Sequence, residues 1–206
     1  MIPDKTIERL IIYKNFLENL KKEKTAHIYS HDIAEHCDFS SSQVRRDLMV
    51  VGYSGNQKKG YEVDKLIFSI NELLHPEHFP NMILVGVGNL GKAILHYFSD
   101  KLTKYKIVAS FDTDKNKIGE FIFCSKCYSM EDMPEIIQKN NVKTAIISVG
   151  ESSAQEVADI LMKNGITGII SFAPKRLKAP DDIFIEYMDF GLVFEKVHYY
   201  AKKNIL

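Results

Sequence analysis

Long apolar runs, a paired set of cysteines and an excess of charge of either sign are all missing from this chain of 206 residues. No stretch stays apolar for the ~20 residues that a bilayer requires, which excludes a transmembrane helix. The opening MIPDKTIERL places acids early and lacks an apolar core followed by small residues. No secretory signal is therefore expected, and the chain is expected to stay in the cytoplasm. The three cysteines are Cys37, Cys124 and Cys127. So low and odd a count argues against a disulfide framework. Cys124 and Cys127 form a C-x-x-C, half of a zinc site with no second pair nearby, so no metal is expected. A redox dithiol is one reading of them. The simpler reading places both in a short strand and its turn. Lys plus Arg and Asp plus Glu number 27 each, so the formal net charge is zero. That removes the crude basic signature of many nucleic-acid binders but leaves room for a local patch.

What is present falls into two patterns that meet near residue 80. In the first, Ile7, Leu10, Ile11, Phe16, Leu17 and Leu20 recur at helical spacing, with Asp4 placed to cap. Ser30 is placed to cap a short helix whose inner face is Ile33, Ala34 and Cys37. A third helix follows a serine cap, buries Val44, Leu48 and Val51, and ends at Gly52. Two helices joined by a tight turn after a first one make a helix-turn-helix. YSGNQKKGYEV, with two glycines and two lysines, reads as a β-hairpin wing. A further amphipathic helix and a linker, PEHFPN, close this part.

From residue 82 strands alternate with helices, the signature of a parallel sheet covered on both faces. The apolar strand MILV runs into VGVGNLG, a G-x-G-x-x-G. Here Gly86 permits the tight turn, Gly88 lets a pyrophosphate approach the backbone, and Gly91 allows close helix–strand packing. The helix that follows offers its N-terminal amides to phosphate. Asp112 ends the next strand about twenty residues on, where a carboxylate accepts from ribose hydroxyls and repels a 2′-phosphate. Strand, turn, helix and acid in register point to NAD rather than NADP. An empty glycine turn, or coenzyme A, is the alternative. Hydride transfer would need an acid or base near the nicotinamide. His198, the only histidine after Asp112, lies in the terminal helix beside Tyr199 and Tyr200, and no substrate domain is apparent. Binding fits better than turnover.

The third helix suggests an output. Gln43, Arg45 and Arg46 stand near its start, where a recognition helix meets base edges. Arginine reads guanine and glutamine reads adenine. Lys58 and Lys59 in the wing are suited to phosphates. From Ser40 to Tyr61 there are four basic residues and one acid. A solvated helix face with ordinary charges is the competing reading.

SSQVRRDL, GYSGNQKKGY, VGVGNLGKAIL, FDTD with KIG, AQEVADIL, GIISFAP and MDF follow one another in the order seen in Rex, the bacterial redox-sensing transcriptional repressors. The chain resembles that family over nearly its whole length. The resemblance implies an N-terminal winged-helix DNA-binding domain (1–80) and an α/β, Rossmann-type dinucleotide-binding domain with a parallel sheet (81–190). It further implies a C-terminal helix (191–206) swapped onto the partner of a homodimer. It implies NADH and NAD⁺ as ligands and double-stranded operator DNA as partner, bound when NADH is scarce and released by NADH. The matching ligand positions are Gly86, Val87, Gly88, Asn89, Leu90, Gly91 and Asp112. Tyr97, Val149, Gly150, Asp189 and Phe190 match positions near the nicotinamide, and Ser42, Gln43, Arg45 and Arg46 the recognition helix. Three positions depart from the family. The wing reads Asn56, Gln57, Lys58 in place of K-R-G. A switch arginine on the first helix is Asn15, beside Lys14. A proline after a strand is Gly150. A small NAD-dependent oxidoreductase, and a relative that has lost redox discrimination or DNA binding, are the other expectations.

Overall fold

The computed structural model describes residues 2–56, 58–74, 81–99 and 105–203. The chain divides into two compact units, Met1–His78 and Phe79–Leu206. The first contains α1 (Asp4–Lys22), β1 (His27–Ile28), α2 (Ser30–Cys37), α3 (Ser41–Val51), β2 (Tyr61–Glu62) and α4 (Val63–Leu74). Its core gathers Leu10, Tyr13 and Leu17 of α1, Ile33 of α2, Val44 and Leu48 of α3, and Leu66 and Ile70 of α4, all fully buried. Each such side chain contributes about 1.5–3 kcal/mol by leaving water.

The caps differ from expectation in two of three helices. Pro3 is the N-cap of α1, so Asp4 is its first residue and serves the helix dipole instead. Tyr29 precedes α2, and its backbone N–H donates to Asp32 Oδ2 at 3.0 Å. Ser30 is thus inside the helix. At α3 the reading holds: Ser40 Oγ accepts from the Gln43 N–H, and Gly52 ends the helix at φ 74°.

The expected hairpin wing takes a tight form, Asn56 and Gly60 exchanging backbone hydrogen bonds at 2.7 Å. β2 does not pair within its own segment but runs antiparallel to β1, Ile28 opposite Tyr61. The strand partner lies ahead of α2, with too little period-2 pattern in two residues to be legible. The segment between keeps one isolated antiparallel bridge, Asn56 to Gly60. Gln57 and most of the expected linker, PEHFP, lie outside the described residues.

The second unit is built on a seven-stranded sheet. Its elements are β3 (Asn81–Val85), α5 (Asn89–Ser99), β4 (Lys106–Phe111), β5 (Phe121–Ile122), β6 (Ser125–Tyr128), α6 (Met133–Lys139) after a turn of 3₁₀ helix, β7 (Thr144–Ile147), α7 (Glu151–Lys163), β8 (Gly168–Ser171), β9 (Phe184–Tyr187) and α8 (Phe190–Lys203). The strand order is β5-β6-β4-β3-β7-β8-β9, every pair parallel except β5 with β6. Ile83, Val85, Ala109 and Ile147 face one helical layer, and Met82, Leu84 and Ile146 the other. Both faces being covered explains the unbroken apolar run of β3. Chain progression reverses beside β3, which places the crevice for a ligand at its carboxyl end.

Candidate dinucleotide loop and nucleic-acid interface

The crevice at the end of β3 is where the glycine loop sits, and its three glycines do different things. Gly86 adopts φ 97°, a conformation L side chains avoid, and a Cβ there would lie 2.7 Å from Ser148 O and from Val149 Cγ1. Its N–H donates to Phe111 O at 2.8 Å, and Ser148 Oγ donates to its carbonyl at 2.7 Å. A Cβ on Gly91 would overlap the Gly86 carbonyl oxygen, so this glycine lets α5 pack onto the turn. Gly91→Ala is expected to destabilise this unit by about 2 kcal/mol, since neither backbone can give way; a lowered melting temperature in a thermal scan checks it. At Gly88 a Cβ meets nothing within 4 Å. The space at Gly88 is therefore open, and α5 begins just after it, where the first turn of a helix leaves the amides of Asn89, Leu90 and Gly91 without helical acceptors.

Asp112 closes the far side of the loop. Its Oδ2 accepts from the Val87 N–H at 2.8 Å and from Lys117 Nζ at 2.9 Å, and its Oδ1 accepts from the Asp114 N–H at 2.9 Å. Burial pushes its carboxyl up, but the bonds from Asp114, Lys117 and Val87 outweigh burial and hold it below the ordinary range. A carboxylate has about four acceptor sites, and these bonds fill three of them. The sign for stability follows. A carboxyl lowered by folding contributes fully above its unfolded value of about 3.9 and loses that contribution as pH falls through the folded value. Melting temperatures of wild type and Asp112→Asn are therefore expected to differ at pH 6 and to converge as pH drops below about 4.

An apolar groove of about 800 Å³ adjoins the loop, and Leu90, Tyr97, Phe172, Met188 and Phe190 line it. Tyr97 and Phe190 thus share one wall system, although 93 positions of sequence separate them. Val149 packs on Gly86, and Gly150 is the N-cap of α7. Asp189 has a local duty: its Oδ1 accepts from the Leu192 N–H at 3.1 Å at the start of α8. Cys124 lies in the β5–β6 turn and Cys127 in β6, as the simpler reading has it. Burial pushes both thiols up, which disfavours the thiolate that redox chemistry needs.

In the first unit, α3 turns Ser42, Arg45, Arg46 and Met49 outward, a run of i, i+3, i+4 and i+7 on one face. Met49 was not singled out as a sequence feature, yet it is 78% exposed on this face. Its helical spacing from Ser42 was the available signal. Gln43 is half-buried, with its amide turned to Asp47. Asp47 is the one acid between Ser40 and Tyr61, and it is buried against Arg9. The local surface is accordingly more basic than composition suggests. Asn56 Oδ1 accepts from the N–H groups of Lys58 and Lys59, and Tyr29 Oη donates to Lys58 O at 2.7 Å. These bonds pin the turn closed by Asn56 and Gly60, and both lysines are exposed on it. Lys14 is buried whereas Asn15 is exposed.

Comparison with known proteins covers the whole chain. A repressor of this kind from Desulforamulus reducens is 37% identical over 194 residues, covering 94% of this chain and 92% of its own. One from Carboxydothermus hydrogenoformans is 35% identical over 203 residues, covering 98% of each. Both carry the name redox-sensing transcriptional repressor Rex. The chain belongs to the Rex family. Among solved structures, that of the Rex-family repressor RSP with β-NAD⁺ and operator DNA superposes with TM-score 0.91 at 30% identity, covering 99% of this chain and 94% of that one. RSP with β-NADH gives 0.82 at 29% identity, covering 99% and 96%. The model of a putative DNA-binding protein N-terminus matches residues 1–48, and that of a CoA binding domain residues 80–175. The second shares the Rossmann-like sheet; the full-length relatives are repressors, not coenzyme A proteins or dehydrogenases. The oxidoreductase expectation is thereby set aside. Among the described residues no helix is long and apolar enough to cross a membrane.

Proposed function

We propose that this Rex-family chain binds operator DNA through α3 and the 56–60 turn, and that NADH at the glycine loop releases it. The observation that carries the reading is the outward face of Ser42, Arg45, Arg46 and Met49, while Asp47, the one acid between Ser40 and Tyr61, is buried against Arg9. Arg45 and Arg46 would meet guanine edges and Met49 a thymine methyl, while Lys58 and Lys59 neutralise phosphates. In the second unit the pyrophosphate lies before Asn89–Gly91, with Val87 and Gly88 beneath it, and Asp112 takes the ribose. The nicotinamide reaches the groove of Tyr97 and Phe190, near Val149 and Gly150. That groove favours the neutral reduced ring over the cationic oxidised one, because desolvating a charge costs more.

A ligand moves a two-state molecule only by its differential affinity, about 10⁴-fold for a swing from 1:99 to 99:1. A homodimer supplies the two states. Leu192, Val193, Phe194, Val197 and Tyr200 of α8 are all exposed, a surface suited to a swap onto the partner subunit, where Asp189 and Phe190 would approach its nicotinamide. Acting on chromosomal DNA, the protein would work in the cytoplasm. Gly150 sits at φ −66°, the value a proline would impose, so this backbone would accept a proline at the same position. The test is a mobility shift on promoter DNA from the source genome, titrated with NADH and with NAD⁺ separately. Release by NADH alone is expected. DNA binding indifferent to both nucleotides would mean a relative that has lost its switch. No DNA binding would overturn the reading.

A further inference from the structure

Asp47 gathers four hydrogen bonds on a side chain that is 3% exposed. Arg9 donates from Nε to Oδ2 at 2.6 Å and from Nη2 to Oδ1 at 2.8 Å. Tyr13 Oη donates to Oδ2 at 3.0 Å, and Gln43 Nε2 donates to Oδ1 at 2.9 Å. The four acceptor sites of the carboxylate are filled. Burial raises the Asp47 carboxyl, but the bonds from Arg9, Gln43 and Tyr13 lower it further, so it stays ionised and can only accept.

That last property sets the orientation of Gln43. An ionised carboxylate offers no proton, so the amide nitrogen of Gln43 must face it and the amide oxygen must face away. Gln43 Oε1 then accepts from Arg46 Nη2 at 3.1 Å. The result is a chain of directed hydrogen bonds from Arg9 in α1, through Asp47 and Gln43, to the guanidinium of Arg46 on the outward face of α3. A glutamine that reads adenine must offer both its oxygen and its nitrogen to the base. Here one N–H of the amide and one lone pair of its oxygen are already engaged, which fixes the plane of the amide.

We propose that Gln43 is a positioning residue rather than a base reader: Asp47 fixes its amide, and its carbonyl oxygen orients Arg46 for DNA. This rests on the proposed DNA-binding role of α3. Two consequences follow. Removing Gln43 acts only through Arg46, and it changes operator discrimination more than attraction to DNA in general, because phosphate contacts do not depend on it.

A double-mutant cycle decides the matter with full-length protein. Gln43→Met keeps the length of the side chain and leaves Asp47 with Arg9 and Tyr13. It is expected to weaken operator binding about tenfold, to leave binding to scrambled DNA unchanged, to lower the melting temperature because a buried carboxylate loses one of its donors, and to have no further effect on operator binding in an Arg46→Ala background. Asp47→Asn, which breaks the carboxylate's control of the amide, is expected to reduce discrimination in the same way. If Gln43→Met costs as much in the Arg46→Ala background as in wild type, Gln43 touches the base itself and the proposal fails. It fails equally if Gln43→Met leaves operator affinity unaltered. Failure of wild type to bind promoter DNA would instead remove the DNA-binding reading beneath it.

Discussion

In the Gly88→Val variant NADH affinity is expected to fall roughly 10²–10⁴-fold while the melting temperature stays within about 4 °C of wild type. The two halves of that result have separate causes. A Cβ at Gly88 meets no atom within 4 Å, so the fold accepts the side chain. The Lys92 N–H donates to Gly88 O, which makes Gly88 the residue that opens α5, and valine is a poorer opener by about 1 kcal/mol. The ligand, however, needs the same space. Valine methyls before Asn89–Gly91 push the pyrophosphate off the helix N-terminus. Two charge-assisted hydrogen bonds lost at about 1.5–3 kcal/mol each give the stated range. Gly91→Ala shows the opposite profile, because its Cβ strikes the chain itself. Titration calorimetry with NADH, beside a thermal melt, separates the two. The variant should also stay on operator DNA at NADH concentrations that release wild type. Undiminished NADH binding would remove the glycine loop from the ligand site.

How much of this was readable before the structure depends on the range of the interactions concerned. β3, its glycine turn, α5 and Asp112 were legible because each leaves a local mark: a continuous apolar run, a fixed glycine spacing, an acid at the next strand end. α3 was legible for the same reason, with Ser40 and Gly52 marking its ends. The β1–β2 pairing was not, since Ile28 and Tyr61 find each other across two helices and neither strand is long enough to show alternation. Tyr13 was missed as core because its apolar ring counts less, in a periodicity reading, than its neighbours Ile11 and Ile12, both of which are exposed. Asp47 reads as one acid in a basic stretch. Only its pairing with Arg9, 38 residues away, turns it from a surface charge into a buried anchor. The duties of Asp112 were half legible: the ribose role follows from position, but the bonds from Val87 and Lys117 do not. Tyr97 and Phe190 share a groove only because the sheet order brings α5 beside the start of α8.

Arg45→Ala is expected to weaken operator binding by about 1–3 kcal/mol for each arginine lost, and roughly twice that for a dimer on two half-sites. For the dimer that is about thirtyfold at the least and above ten-thousandfold at the most. Arg45 stands on the exposed face of α3, and its Nη1 reaches Ser30 Oγ at 3.5 Å, a long contact that costs little to leave. Nothing in the core depends on it, so stability should hold. NADH affinity should also hold, because every residue assigned to the ligand belongs to the second unit. The contrast with Lys58→Ala identifies the kind of contact. A lysine that neutralises phosphate weakens operator and scrambled DNA alike and lowers the salt slope by about one. An arginine that reads a base loses operator affinity selectively and leaves the slope nearly unaltered. Binding isotherms on both DNAs at several salt concentrations therefore distinguish reading from attraction. Were Arg45→Ala to bind operator as wild type does, base recognition would have to come from Arg46 and Met49 alone.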